Sequence, residues 1–242
     1  MNDKAFDALI DAAAAPYRAH SRFAWHFARG KLRHDPLFAG LLRLGLFQRP
    51  LRILDVGCGQ ALLANWLAAA SRQRSSAWPA VSPFAAYRGI DLVPADIQRA
   101  SRALPAAAQV ACADMRTAPF ETADRIMMLD VLHYVDAPAQ DALIARARAA
   151  LSDDGLLILR VGDARAGWRF WQTWLTDQAI LMTRGQRPVR LCFRAVPEWL
   201  AALEAAGFRA EATPMSTGTP FANTLLVARP AHDSRGNADA LC

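Results

Sequence analysis

The sequence predicts an α/β fold in which a parallel sheet is flanked by helices and preceded by an N-terminal helical cap. Three observations carry this. Short apolar runs alternate with segments of helical periodicity from residue 51 onward. The first run, LRILDV, closes in a glycine turn, GCG, and leads directly into a helical stretch. Several runs end in an acidic residue, which collects carboxylates along one edge of the sheet. With 242 residues, 53% of them hydrophobic, the chain can fill one large core, which excludes a disordered or fibrous protein.

The first fifty residues read as helices. Phe6, Leu9, Ile10 and Ala13 recur at helical spacing before Pro16, Tyr17 to Leu32 continues with Phe23, Trp25, His26 and Phe27, and Asp35-Pro36 opens a third helix through Leu46. Pro50 ends this cap. The expected units are therefore a cap at 1–50, an α/β domain at 51–230 and a polar tail at 231–242.

Within the domain, LRILDV (51–56) is the first strand and Gln60 to Ala70 the helix after it. SRQRSSAWPAVSPF (71–84) is a Ser- and Pro-rich loop. AAYRGIDL is a second strand ending at Asp91, Asp96 to Ala103 a helix, AQVACAD a third strand ending at Asp114, and DRIMMLDVL a fourth ending near Asp130. Helix Ala139 to Leu151 precedes the turn SDDG and a fifth strand, LLILRV. An aromatic helix at 164–182 and a basic connector, TRGQRPVRLCFR, form an insertion at about 164–194. Pro197 to Ala206 is a last helix with Pro in its first turn and Gly207 as its stop. Two β-like runs follow, FRAEATPM and NTLLVAR.

The net charge is +6, yet only Lys4 and Lys31 are lysine, and the arginines are spread from Arg18 to Arg235. Two readings stand: a polyanionic partner, which arginine forks suit, or genomic codon bias, which the 51 alanines match. The dispersion favours the second, and nucleic acid is not the expected partner. Cys58, Cys112, Cys192 and Cys242 are too far apart for a CxxC pair and are expected to be reduced and mostly buried. The N-terminus lacks the basic and apolar regions of a signal peptide and no uncharged run approaches 18 residues, so a cytoplasmic protein without a spanning helix is expected.

The chemistry is expected at the carboxyl edge of the sheet, where Asp55-Val-Gly57-Cys-Gly59, Asp91, Asp114 and Asp130 gather. The glycines admit close approach of a ligand to the backbone, and the next helix offers unpaired N–H groups. A dinucleotide dehydrogenase would show GxGxxG with its ribose acid about twenty residues on. Here the run is GCGQAL and Asp91 lies beyond the long loop, so that reading loses ground.

These motifs, in this order, resemble the class I S-adenosylmethionine-dependent methyltransferases across most of residues 50 to 229. LDVGCGQ, GIDL, ACADM and LDVLHYVD resemble the family's first four motifs, LSDDGLLILR the turn and strand that follow, and VPEWLAALEAAGF the helix before its closing β pair. The resemblance implies a Rossmann-like, seven-stranded, mostly parallel sheet and S-adenosyl-L-methionine as cofactor. Ala61 departs from it, standing where many members have a third glycine.

The resemblance also implies roles. Gly57 and Gly59 would lie against the methionyl part of the cofactor, with Asp55 holding the loop and reaching toward the ammonium. Asp91, with Leu92 beside it, would take the ribose hydroxyls. Asp114 would accept from the adenine amine, Met115 would offer its backbone N–H and side chain to the ring, and Asp130 would lie below the transferring methyl. Each of the first three aspartates could instead cap a helix or end a strand, Asp130 could simply organise its turn, and Met115 could be core. His133 is the candidate general base, following Asp130 and titrating near neutrality, and a structural histidine is the alternative. Tyr134 shares that loop and either contacts substrate or cofactor or serves as a packing residue.

On the cap, Tyr17, His20, Arg22 and His26 are polar groups that either face the pocket or lie exposed. Trp168, Trp171, Trp174 and Leu175 make a stripe that serves core packing, an aromatic substrate wall or a peripheral membrane contact. The fourth motif is not the NPPY or DPPY type of base-amine enzymes, and no lysine follows Lys31 to serve a lysine-based ribose centre. A small aromatic or apolar acceptor is therefore expected over RNA, with a non-catalytic cofactor-binding module as the third reading. A finer resemblance, through YRAHSRFAWHFARGKLRHDP and DVLHYVD, is to methyltransferases encoded with bacterial aryl-polyene pigment pathways. It implies a hydroxyaryl or polyketide-like acceptor, free or on an acyl carrier protein whose acidic surface would suit Arg184 to Arg194.

Overall fold

The computed structural model describes residues 3–73, 75–165, 191–219 and 222–231. Three helices come first: α1 (Asp3–Arg18), α2 (Arg22–His34) and α3 (Pro36–Arg43). There follow β1 (Arg52–Val56), α4 (Leu62–Arg72), β2 (Ala86–Asp91), α5 (Pro94–Ser101), β3 (Ala108–Cys112), β4 (Ala123–Leu129), a 3-10 turn (Leu132–Tyr134), α6 (Ala137–Ala150) and β5 (Leu151–Gly162). After the insertion, helix α7 (Val196–Ala205) leads to β6 (Phe208–Pro214) and β7 (Asn223–Pro230). The seven strands form one sheet in the order β3-β2-β1-β4-β5-β7-β6, in which β7 alone runs antiparallel to its neighbours.

The strand order reverses between β1 and β4, so their carboxyl ends open a crevice. Apart from Arg52, Asp55, Asp124 and Arg125, these central strands are apolar because both faces are covered. Ile53 and Met127 face the cap, in one core with Leu9, Leu41 and Trp66; Leu54, Val56, Ile126 and Met128 face a second core with Ile144 and Trp199. Helix α4 is buried from Leu62 to Ala70 because it lies between sheet and cap, and Trp66 Nε1 donates to the Phe38 carbonyl at 3.0 Å.

Several boundaries differ from the sequence expectation. Helix α1 runs through Pro16 to Arg18: a proline in the last turn forfeits a single backbone bond. The break falls at Ser21, which caps α2 by accepting from Ala24 N. Helix α3 stops at Arg43, with Gly45 in the left-handed region at φ 64°. Helix α4 starts two residues late because Gly59 and Ala61 both adopt φ 54°. The turn SDDG is absorbed into β5 as a bulge: pairing jumps from Ala123–Leu151 to Arg125–Leu156. The aromatic stripe Trp168, Trp171, Trp174 and Leu175, most of the basic connector, Cys242 and the tail from 232 lie outside the described residues. Of the other cysteines, Cys112 is exposed and not buried as expected, because it ends the edge strand β3.

Candidate active site

The glycine turn is suspended from β2. Gly57 N and Cys58 N both donate to the Ile90 carbonyl, at 2.8 and 3.0 Å, and Gly59 N donates to Asp91 Oδ2 at 2.9 Å. Gly57 sits at φ 77°, and a Cβ there would lie 2.5 Å from Val131 Cγ2, so glycine is required for both backbone and packing. From the cap side, Tyr17 donates to the Gln60 carbonyl at 2.7 Å and accepts from Asn65 Nδ2 at 2.9 Å.

The turn forms one wall of a cleft of about 1340 Å³ at the carboxyl edge of the sheet. Asp55, Gly57, Gly59, Asp91, Leu92, Asp114, Met115, Asp130, His133 and Tyr134 all line it. Asp91 Oδ1 also accepts from Val93 N at 2.8 Å, which fixes the carboxylate while leaving lone pairs for further donors. Leu92 is 57% exposed beside it, an apolar shelf at the cleft wall. Asp114 is tied to Arg116 through a bidentate contact, Nε to Oδ1 and Nη2 to Oδ2, that holds its carboxyl below the usual range. The Arg146 guanidinium pins the loop carrying Asp114 and Met115, donating to the carbonyls of Met115, Arg116 and Ala118.

Asp55 is buried, accepts from the Tyr87 hydroxyl and reaches the cleft from below the turn. Burial pushes its pKa up to about 7, against the opposing Tyr87 hydrogen bond, with the Asp91 charge adding to the rise. Burial likewise raises the Cys58 thiol well above its ordinary value, which makes it a poor nucleophile.

His133 departs from the expected near-neutral titration. It is 6% exposed, stacked at 5.0 Å and 9° on Phe193, and burial lowers its pKa to about 4 despite the Asp130 charge. Its loop is held by Gln140 on α6, whose Nε2 lies within 3.1 Å of the carbonyls of Leu132, Val135 and Cys192. Asp130 is in the left-handed region at φ 58°, and its carboxylate is engaged by Arg160, which also binds Asp35.

The cap residues divide differently from the sequence expectation. Tyr17 is buried under the glycine turn and does not line the cleft, since its hydroxyl is committed to Gln60 and Asn65. His20, Arg22 and His26 are exposed and away from the cleft; His26 packs on Trp25 at 4.5 Å. Helix α2 faces the cleft instead with Phe23, Phe27, Lys31 and His34. Trp168 lies outside the described residues. Sequence reasoning missed Phe23 and Phe27 as wall residues, together with Arg160, Asp35, Arg146 and Gln140. The lone arginine in LLILRV was a signal, because a charge inside a central strand needs a buried partner.

A sheet of this order, with a glycine turn after β1 and a carboxylate closing β2, defines the class I methyltransferase fold. The chain belongs to the family described as methyltransferase domain, which matches residues 24–213. Among solved structures it is similar to an O-methyltransferase family protein from Burkholderia thailandensis, with 20% identity, TM-score 0.60, and coverage of 89% of this chain and 62% of that one. It is also similar to the 1,6-didemethyltoxoflavin-N1-methyltransferase of the same organism, solved with 1,6-didemethyltoxoflavin and S-adenosylhomocysteine, at 18% identity and TM-score 0.59, covering 90% of this chain and 89% of that one. A third is human N-acetylserotonin methyltransferase with its bound methyl donor, at 17% identity and TM-score 0.57, covering 92% of this chain and 59% of that one. The chain thus spans about three fifths of the length of the first and third. None of the curated proteins matches the sequence.

The residues present fit S-adenosylmethionine. The glycine turn leaves room where a Cβ at Gly59 would meet nothing within 4 Å, Asp91 offers fixed acceptors, and Leu92 and Met115 supply apolar surface.

Proposed function

We propose that the protein is an S-adenosylmethionine-dependent methyltransferase acting on a small acceptor with an aromatic or apolar body. The observation that carries this reading is one cleft whose lining joins the glycine turn and Asp91 to the aromatic side chains Phe23 and Phe27 of the cap and Phe193 and Tyr134 beside the Asp130 loop. The cofactor supplies an electrophilic methyl on a sulfonium. Gly57, Gly59 and Asp55 would hold its methionyl part, Asp91 its ribose, and Leu92, Asp114 and Met115 its adenine.

Positioning of the acceptor in line with the methyl supplies much of the rate. His133 is neutral above about pH 4 and therefore a weak base. A base of that strength takes the acceptor's proton only as the new bond to carbon forms, when the acceptor atom turns cationic. Stacking on Phe193 fixes the imidazole plane for that transfer.

A small molecule is favoured over RNA because Arg99, Arg116 and Arg160, which line the cleft, are already paired with Asp96, Asp114, and Asp35 and Asp130. A hydroxyaryl acceptor, as in the aryl-polyene pathways, suits the stacked rings and the neutral imidazole. Docking of an acidic carrier protein draws no support from Arg194, which is spent on Asp141 and the Ala137 carbonyl. Calorimetry with S-adenosylhomocysteine tests cofactor binding. A panel of hydroxyaryl compounds with labelled methyl donor tests transfer; binding without labelled product from this or a broader metabolite panel would favour a non-catalytic module.

A further inference from the structure

Arg160 is a charged residue in a central strand, 2% exposed, with a guanidinium that lies between two carboxylates from distant parts of the chain. Its Nη2 donates to Asp35 Oδ2 at 2.8 Å and its Nη1 to Asp35 Oδ1. On the other edge, Nε donates to Asp130 Oδ1 at 2.7 Å and Nη2 to Asp130 Oδ2. Both contacts are bidentate, which only a planar fork can provide.

Asp35 occupies the elbow between two cap helices. Its backbone N–H closes α2 on the Lys31 carbonyl at 3.0 Å, and its side chain opens α3 by accepting from Leu37 N at 3.0 Å. Lys31 adds an ion pair at 2.8 Å, so two cations balance two carboxylates in this cluster. Asp130 directly follows β4 and opens the loop that carries His133 and Tyr134. All four charged side chains line the cleft.

We propose that Arg160 is a positioning residue that makes the seating of the α2–α3 elbow and the orientation of the Asp130 loop a single event. One rigid guanidinium plane serves both carboxylates, so a tilt that loosens Asp35 also misaligns Asp130. The cap wall with Phe23 and Phe27 and the loop wall with His133 then close on the acceptor together. This consequence for the acceptor rests on the methyltransferase reading, whereas the mechanical coupling does not.

Hydrogen exchange on the full chain, alone and with S-adenosylhomocysteine, tests the coupling. Asp35→Ser keeps a good N-cap for α3 while removing the bidentate pair, and Asp130→Asn tolerates the left-handed backbone while removing the charge. Asp35→Ser is expected to speed exchange at least tenfold at residues 130–134, and Asp130→Asn to do the same at 22–43, with β1 and β2 unchanged. For Asp35→Ser, S-adenosylhomocysteine affinity should stay within threefold of wild type. Arg160→Lys retains the charge without the fork and should resemble both variants.

Acceleration confined to the mutated side would show two independent ion pairs and overturn the proposal. Acceleration spread evenly over the sheet would show a purely structural role and overturn it too. Failure of the wild-type protein to bind S-adenosylhomocysteine would sink the functional reading alone, leaving the exchange result to decide the coupling.

Discussion

The Tyr17 hydroxyl donates a 2.7 Å hydrogen bond to the carbonyl of Gln60, joining the end of α1 to the loop that begins α4. The same oxygen accepts from Asn65 Nδ2, and all three residues are buried. The cap therefore helps to hold the glycine turn in shape as well as covering the cleft.

Tyr17→Phe should cost about 1–3 kcal/mol, because it removes the donor to a buried carbonyl and leaves the Asn65 amide without its acceptor. Urea denaturation should show a lower midpoint with an unchanged slope. S-adenosylhomocysteine affinity should fall as the turn loosens. A wild-type midpoint and affinity would show that water replaces the hydroxyl at no cost.

Asp55 gives the protein a pH dependence of definite sign. Its folded pKa of about 7 lies above the ordinary 3.8, so between those values the folded state holds a proton that the unfolded state has lost. Stability should decline as pH rises from about 4 to 7, and Asp55→Asn should remove that decline. A cofactor ammonium near Asp55 favours its ionised form, so binding should release a proton and tighten through pH 7. Calorimetry in buffers of different ionisation enthalpy reads the proton directly; equal heats in all buffers would exclude the contact. Burial sets this titration, with the Tyr87 hydrogen bond opposing it and the Asp91 charge adding to it.

Ala61 carries a side chain at φ 54°, where left-handed backbone costs a residue with a Cβ about 1–2 kcal/mol. Ala61→Gly relieves that cost but loses a buried methyl worth about 0.8 kcal/mol, so the net change should be below about 1 kcal/mol. Ala61→Val should destabilise by more than about 2 kcal/mol, since a branched side chain at positive φ meets a fully buried site. Thermal unfolding of the two variants checks the order. A stable valine variant would mean that the turn is not in this conformation.

For His133, burial removes the titration near pH 6.5 that its residue type suggests. Its folded pKa of about 4 means that stability is retained above about 6.5 and lost as pH falls toward 4. If His133 takes the acceptor's proton, the rate profile should be flat from pH 6 to 8 with an acid limb near 4. His133→Asn should then lower kcat by about 10²–10⁴ with little change in cofactor affinity. An acid limb at 6.5 that survives in the variant would place the base elsewhere.

The glycine turn, the carboxylates Asp91 and Asp114, and the alternation of strands and helices were legible in the sequence because they are local. Period, turn chemistry and strand ends all lie within a few residues of one another. They determined the fold class and pointed to one edge of the sheet as the candidate site. The tertiary structure decided which polar groups face the cleft. Tyr17 reads like a pocket residue, but its hydroxyl reaches Gln60, 43 positions away; Arg160 meets Asp35 across 125. The orientation of α2, with Phe23 and Phe27 toward the cleft and His26 away from it, depends on how α2 packs on α1 and α1 on α4. The low pKa of His133 is decided in the same way, because burial is a property of the assembled core and residue type alone supplies only the starting value.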